Sequence, residues 1–202
     1  MGAYALGHFS VASKISGDLV KGTSTKEGFE QPIESPLPYA DVQGARIIPS
    51  SIKLCSNTYY SFELSYPKDW FTTYNSDREQ CTYFAPYSFV VPAAQDTDFV
   101  PVTIKIIPQD QWTATVKLYE NPNDLQNVVR TENLTIDGRS VEKIEAASTG
   151  KGAIPRGYVK VSYLIFNSKT PLILTYQQLD EKEDTKSYQM AVRDMAESLK
   201  LY

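Results

Sequence analysis

The chain carries one histidine, His8, and two cysteines, Cys55 and Cys81, among 202 residues. With a single imidazole in the N-terminal tail and no G-x-S-x-G turn, the sequence lacks the parts of a Ser-His-Asp triad. It also lacks a P-loop, a G-x-G-x-x-G fingerprint, an EF-hand loop and an H-E-x-x-H pair. Lysine and arginine never form a run, and the net charge is -4 with a pI near 5.1. Such a chain has no concentrated basic face for a phosphate backbone, which argues against nucleic acid. No segment reaches the roughly 20 apolar residues that cross a bilayer as a helix.

What is present is a soluble, strand-rich composition. Hydrophobic residues make up 42% and charged residues 22%, and 14 tyrosines outnumber 8 phenylalanines, as on half-exposed strand surfaces. The length suits one core with appendages. Residues 1–50 read as a tail and linker: Gly22, Gly28, Pro32, Pro36, Pro38, Gly44 and Pro49 interrupt helix and ladder alike. The apolar opening Met-Gly-Ala-Tyr-Ala-Leu would suit the end of a membrane anchor cut away, a frayed terminus, or a short helix with Phe9, Ala12, Ile15 and Leu19 on one side. A single domain is expected over 51–202.

Inside that domain the period is two. Tyr60, Phe62, Leu64 and Tyr66 alternate with polar residues, Pro67 presets a turn, and Trp70 to Tyr74 resumes extended character. These two segments are expected to pair as a hairpin. Phe89-Val90-Val91 is a weaker strand, and Val102, Ile104 and Ile106 form a stronger, internal one between prolines. Between Gln109 and Arg130 the spacing predicts helix, interrupted at Asn121-Pro122, with Leu125, Val128 and Val129 on a short helix begun at Pro122. Asp137-Gly138 marks a two-residue hairpin turn. Tyr158 to Phe166 and Leu172 to Gln178 read as strands, the first covered on both faces. The C-terminal segment predicts an amphipathic helix, with Tyr188, Ala191, Val192, Met195 and Leu199 as its stripe and Asp184 or Thr185 as its cap.

Together, FELSYPKDW, LTIDGRSVEKIEA, the pair GYVKVSYLIFN and PLILTYQQ, and the ending MAESLKLY resemble the PsbP-like fold over roughly residues 57–202. The resemblance implies an α+β architecture, a mostly antiparallel sheet of about six to seven strands sandwiched by helices. That fold is shared by photosystem extrinsic subunits, a eukaryotic Ran-binding import factor and bacterial envelope lipoproteins. The Tyr66-Pro67-x-x-Trp70 turn is similar to that of the extracytoplasmic bacterial members. Photosystem relatives handle manganese or calcium, but His8 lies outside the matched region and no metal, cofactor or catalytic residue carries over.

Cys55 and Cys81 favour a disulfide closing the first hairpin onto the following loop. Two buried thiols of a cytosolic protein are the competing reading, while a zinc site or a redox pair would need further ligands or a C-x-x-C spacing. Gly150-Lys151-Gly152-Ala153-Ile154-Pro155-Arg156-Gly157 could cradle an anion or serve as a plain inter-strand loop. Glu63, Asp69, Asp77, Glu79, Asp96 and Asp98 could supply a carboxylate pair, though turns and solvated strand faces account for most of them. Tyr59, Tyr60, Tyr74, Tyr83 and Tyr87 suit either a stacking platform or cross-strand packing. Asn133-Leu134-Thr135 matches a glycosylation sequon that means little on a bacterial protein.

The expectation is a non-catalytic accessory or protein-interaction domain outside the cytoplasmic membrane, anchored by a preceding segment, with an unidentified protein or small-molecule partner. The alternative is a small-molecule or glycan binding module with a pocket between the sheet and the 109–130 helix.

Overall fold

The computed structural model describes residues 51–74, 76–91 and 99–202. The expected tail, linker and N-terminal helix lie outside them, as do His8, Asp96 and Asp98. Ten strands and two helices follow one another: β1 (Ile52–Asn57), β2 (Phe62–Pro67), β3 (Phe71–Thr72), β4 (Tyr83–Ala85), β5 (Val102–Ile106), α1 (Trp112–Glu120), β6 (Gln126–Ile136), β7 (Arg139–Ser148), β8 (Val159–Ile165), β9 (Leu172–Gln177), α2 (Thr185–Ser198) and β10 (Lys200–Leu201). Seven strands make one sheet in the order β3-β4-β5-β9-β8-β7-β6, and β1, β2 and β10 make a second. Every pairing among the described strands is antiparallel. The architecture is thus α+β, with a seven-stranded main sheet; the small second sheet was not legible in advance.

Alternation sorts the strands of the main sheet into two faces. Val102, Ile104, Tyr163, Ile165, Leu172, Leu174 and Tyr176 pack into the principal core with Phe62, Leu64, Val192, Met195 and Leu199. Ile144, Leu164 and Ile173 look the other way, toward Trp112, Val116 and Tyr119 of α1. One side of the sheet is therefore closed by α2 and the small sheet, the other by α1. In β6 the register shifts between Val128 and Arg130, so that Val129 is an extra residue. This bulge inverts the phase: Val128 sits with α1, whereas Leu134 and Ile136 reach the α2 side.

Several elements follow the sequence closely. Asp137 and Gly138 both take positive φ, 51° and 74°, which joins β6 to β7 tightly. Helix α2 buries Val192, Met195 and Ala196, and the Asp184 side chain accepts from the Ser187 amide at its start. Trp70 is buried against Tyr188, with ring centroids 5.4 Å apart.

Three expectations fail. Phe71–Thr72 does not pair with β2, because β1 and β10 occupy both edges of β2; it joins β4 in the main sheet. The turn that closes with Trp70 N–H donating to Pro67 O sends the chain across. The segment begun at Pro122 is strand β6 from Gln126 onward, not helix, and the helical residues are a 3-10 turn at Gln109–Gln111 followed by α1, Trp112–Glu120. Asn121, immediately before proline, is extended at φ -103° and ψ 139°, so Pro122 ends a helix instead of opening one. Phe89-Val90-Val91 lies outside the strands of the described residues; the neighbouring strand is Tyr83–Ala85, stopped by Pro86, which has no amide to donate.

Candidate functional site

Helix α1 has nine residues, about 14 Å of length, against a seven-stranded sheet about 29 Å across. None of its residues is fully buried. The part of the face it leaves uncovered forms a cleft of about 400 Å³. The floor is the polar alternate of the internal strands: Thr103 and Lys105 from β5, Thr175 and Gln177 from β9, and Lys160 from β8. Tyr119 of α1 and Tyr83 of β4 supply aromatic walls. Leu125, Gly152, Ala153 and Ile154 form a lip, and Val100, Pro101 and Leu179 line the remainder.

The lip is tied down by polar contacts. Lys151 Nζ lies 2.7 Å from Asp124 Oδ1, the Thr149 amide donates to Leu125 O at 3.1 Å, and Ser148 Oγ donates to Ile154 O at 2.9 Å. The amides of Gly150, Lys151 and Gly157 donate to Ser148 Oγ, Thr149 Oγ1 and Ser148 O, so much of the suspected glycine cradle is spent inside its own loop. That loop contributes to the cleft through its apolar residues.

Buried Gln126 organises the back wall. Its Nε2 donates to Tyr119 O at 3.2 Å, at the exposed carbonyl end of α1, and its Oε1 accepts from Lys160 Nζ at 3.2 Å. Lys160 Nζ also stands 4.6 Å from the Tyr119 ring centroid, a cation–π contact. Burial, reinforced by the Lys105 ammonium, pulls the Lys160 pKa down to about 8. Burial raises the Tyr119 phenol above its ordinary value, with a hydrogen bond to Thr175 opposing the shift. Neither lysine belongs to an ion pair among the described residues, and no carboxylate lines the cleft.

A second hollow of about 480 Å³ lies between α2 and β6. Its charges are all paired, Arg193 with Glu197 at 2.7 Å, Lys143 with Glu145 at 2.6 Å, Glu132 with Arg130 at 3.3 Å and Asp137 with Arg139 at 3.4 Å. It offers no unmatched charge of the kind found beside Tyr119.

The other candidate residues are dispersed. Cys55 of β1 and Cys81 form a disulfide. Alongside it, buried Asn57 donates to Arg78 O and Gln80 O, so the loop before β4 is fastened to the small sheet. Tyr59 and Tyr60 sit together near Arg78, Tyr74 meets the Tyr66 hydroxyl at 3.4 Å, and Tyr87 donates to Phe99 O. Tyr83 alone of that set reaches the cleft, so the five form no single platform. Glu63 lies in β2, Asp69 in the turn after it, and Asp77 and Glu79 in the loop before Cys81. Among the described residues no group of three or more histidine, cysteine or acidic side chains is placed to hold a metal ion.

Lys105, Lys160, Thr175 and Gln126 escaped the sequence reading. The available signal was polar residues alternating inside strands that are internal to a sheet covered on both faces, where apolar ones are expected.

The chain is similar in structure to a cyanobacterial PsbP. That solution structure, from Synechocystis sp. PCC 6803, shares 16% identity at a TM-score of 0.44, and the match covers 82% of this chain and 99% of that chain. No family model and no curated protein matches the sequence.

Proposed function

We propose that the chain is a non-catalytic, extracytoplasmic accessory domain that binds a small molecule in the cleft between its main sheet and α1. The carrying observation is a concave site of about 400 Å³ with apolar walls and converging hydroxyl, amide and ammonium groups. That is the size and make-up of small-ligand sites generally. The disulfide supports an oxidising compartment. The neutral fluorescent probe N-phenyl-1-naphthylamine tests the site: it should bind the wild type, and Ala153→Trp, which places a large ring on the exposed lip, should abolish binding. Probe emission indifferent to that substitution would sink the reading. Alkylation followed by mass measurement, with and without reductant, checks the compartment; two free thiols in air-folded protein would contradict it.

A second reading, recognition of a protein partner, is favoured by a patch beside the disulfide. Phe71 and Tyr74 are 47% and 64% exposed, Lys53 Nζ lies 5.8 Å from the ring centroids of both Tyr66 and Phe71, and the Tyr66 and Tyr74 hydroxyls are 3.4 Å apart. Aromatic side chains in such numbers characterise interface centres. A photo-crosslinker at Tyr74 in the native host should capture one partner, and Phe71→Ser should release it; no adduct from that position would end this reading.

A further inference from the structure

The charges around the cleft define the chemistry of its occupant. Lys105 and Lys160 come from strands on either side of β9 and face the same cavity, whose lining contains no acid among the described residues. A buried ammonium is unfavourable without a counter-charge. Among the described residues Lys160 meets the Gln126 carbonyl oxygen and the Tyr119 ring face, both partial negative charges, and a second cation. The two cations are therefore unmatched by the described lining, and an anion between them offsets both the desolvation and the repulsion. The walls next to this charge are apolar.

We infer that the ligand is an amphiphilic organic acid: an oxyanion headgroup held by Lys105 and Lys160, with an apolar body against Leu125, Ala153 and Ile154. This rests on the cleft reading above. Carboxylate, sulfonate and phosphate headgroups share the recognised chemistry, and the lining hydroxyl of Thr103 supplies a donor to any of them.

Two dyes with one aromatic body separate the ideas: 1-anilinonaphthalene-8-sulfonate carries an anion, and N-phenyl-1-naphthylamine does not. The acid should bind the intact protein at least ten-fold more tightly than the neutral dye. Lys160→Met keeps the aliphatic stem and removes the charge, so it should erase most of that preference. Lys105→Met should act in the same direction, and because Lys105 is exposed its variant folds even if Lys160→Met does not. Octanoate should displace the sulfonate dye, whereas inorganic phosphate at equal concentration should not. Equal affinity for the two dyes would overturn the acid while leaving the cleft in place. Binding of neither dye, or binding that Ala153→Trp leaves intact, would overturn the cleft itself. A preference that survives both lysine substitutions, or displacement by phosphate as effective as by octanoate, would also overturn the inference.

Discussion

The two faces of the main sheet are built to different standards. On the α2 side, twenty buried residues drawn from both sheets and the helix form one continuous core. On the α1 side the buried set is Ile144, Leu164 and Ile173, and the helix above them is only half buried. Burial of apolar surface is the main favourable term in folding, so the stability of the domain resides chiefly on the closed face. The open face can then carry lysines, hydroxyls and a cavity without unfolding the protein. A fold that assigns its faces in this way can change ligand on one side at little risk to the other.

The sharpest way to break that comparison is to empty matching positions on each face. Phe84 is fully buried on the closed side, and Phe84→Ala should destabilise by about 3–5 kcal/mol, read as a lowered urea midpoint. Val116→Ala on α1, half buried, should remove less than about 1.5 kcal/mol. Equal losses would mean that the open face is as much a core as the other.

Next in size is the disulfide, which fastens the small sheet to the loop entering β4. It spans 26 residues of chain, and loop-closure entropy makes it worth about 3–4 kcal/mol. A double Cys55→Ser, Cys81→Ser variant should lose that much, with dye affinity in the cleft on the other face changed less than two-fold. A large loss of dye affinity would show that the faces are coupled.

Lys160→Met should move stability the opposite way, raising it by about 1–3 kcal/mol at pH 7 by removing a buried, unpaired charge. Its pKa falls from 10.5 in the unfolded chain to about 8 in the folded one. Between those values the unfolded state binds more protons, so wild-type stability gains a contribution as pH rises from about 8 to 10.5. The variant should lack that rise. Among the described residues the groups facing Lys160 are Lys105 from β5, Tyr119 from α1, Gln126 from β6 and Gln177 from β9, and none of these is acidic. Affinity for the sulfonate dye should accordingly fall between pH 7 and 9 as the ammonium is lost, and chemical denaturation and dye titration across that range measure both effects.

How far the sequence could be read follows the same division. The closed face was legible because its signals are local and apolar: the alternation Phe62, Leu64, Tyr66, the Asp137-Gly138 turn, and the stripe Tyr188, Val192, Met195 each determine an element alone. The open face was not. Leu125, Val128 and Val129 fit a helical stripe as well as a bulged strand, and only the ladder from Gln126 with Ser148 decides the matter. Lys160 looks like an ordinary exposed alternate until Tyr119 of α1 and Gln126 of β6 are seen against it. Periodicity says which way a side chain points, not what covers it.

The smallest expected effect in stability is the one that probes the cleft's entrance. Lys151 and Asp124 are 67% and 86% exposed at the side chain, so Lys151→Met should change folding stability by less than about 1 kcal/mol. Their contact nevertheless joins the loop bearing Gly152, Ala153 and Ile154 to the residue before Leu125, and so closes the lip from both sides. Losing it should loosen the rim while leaving the floor lysines in place. Stopped-flow displacement of the sulfonate dye should then show a several-fold faster dissociation with the acid preference over the neutral dye intact, because Lys105 and Lys160 still set that preference. A variant that lost the preference instead would place the decisive charge on the lip rather than on the floor of the open face.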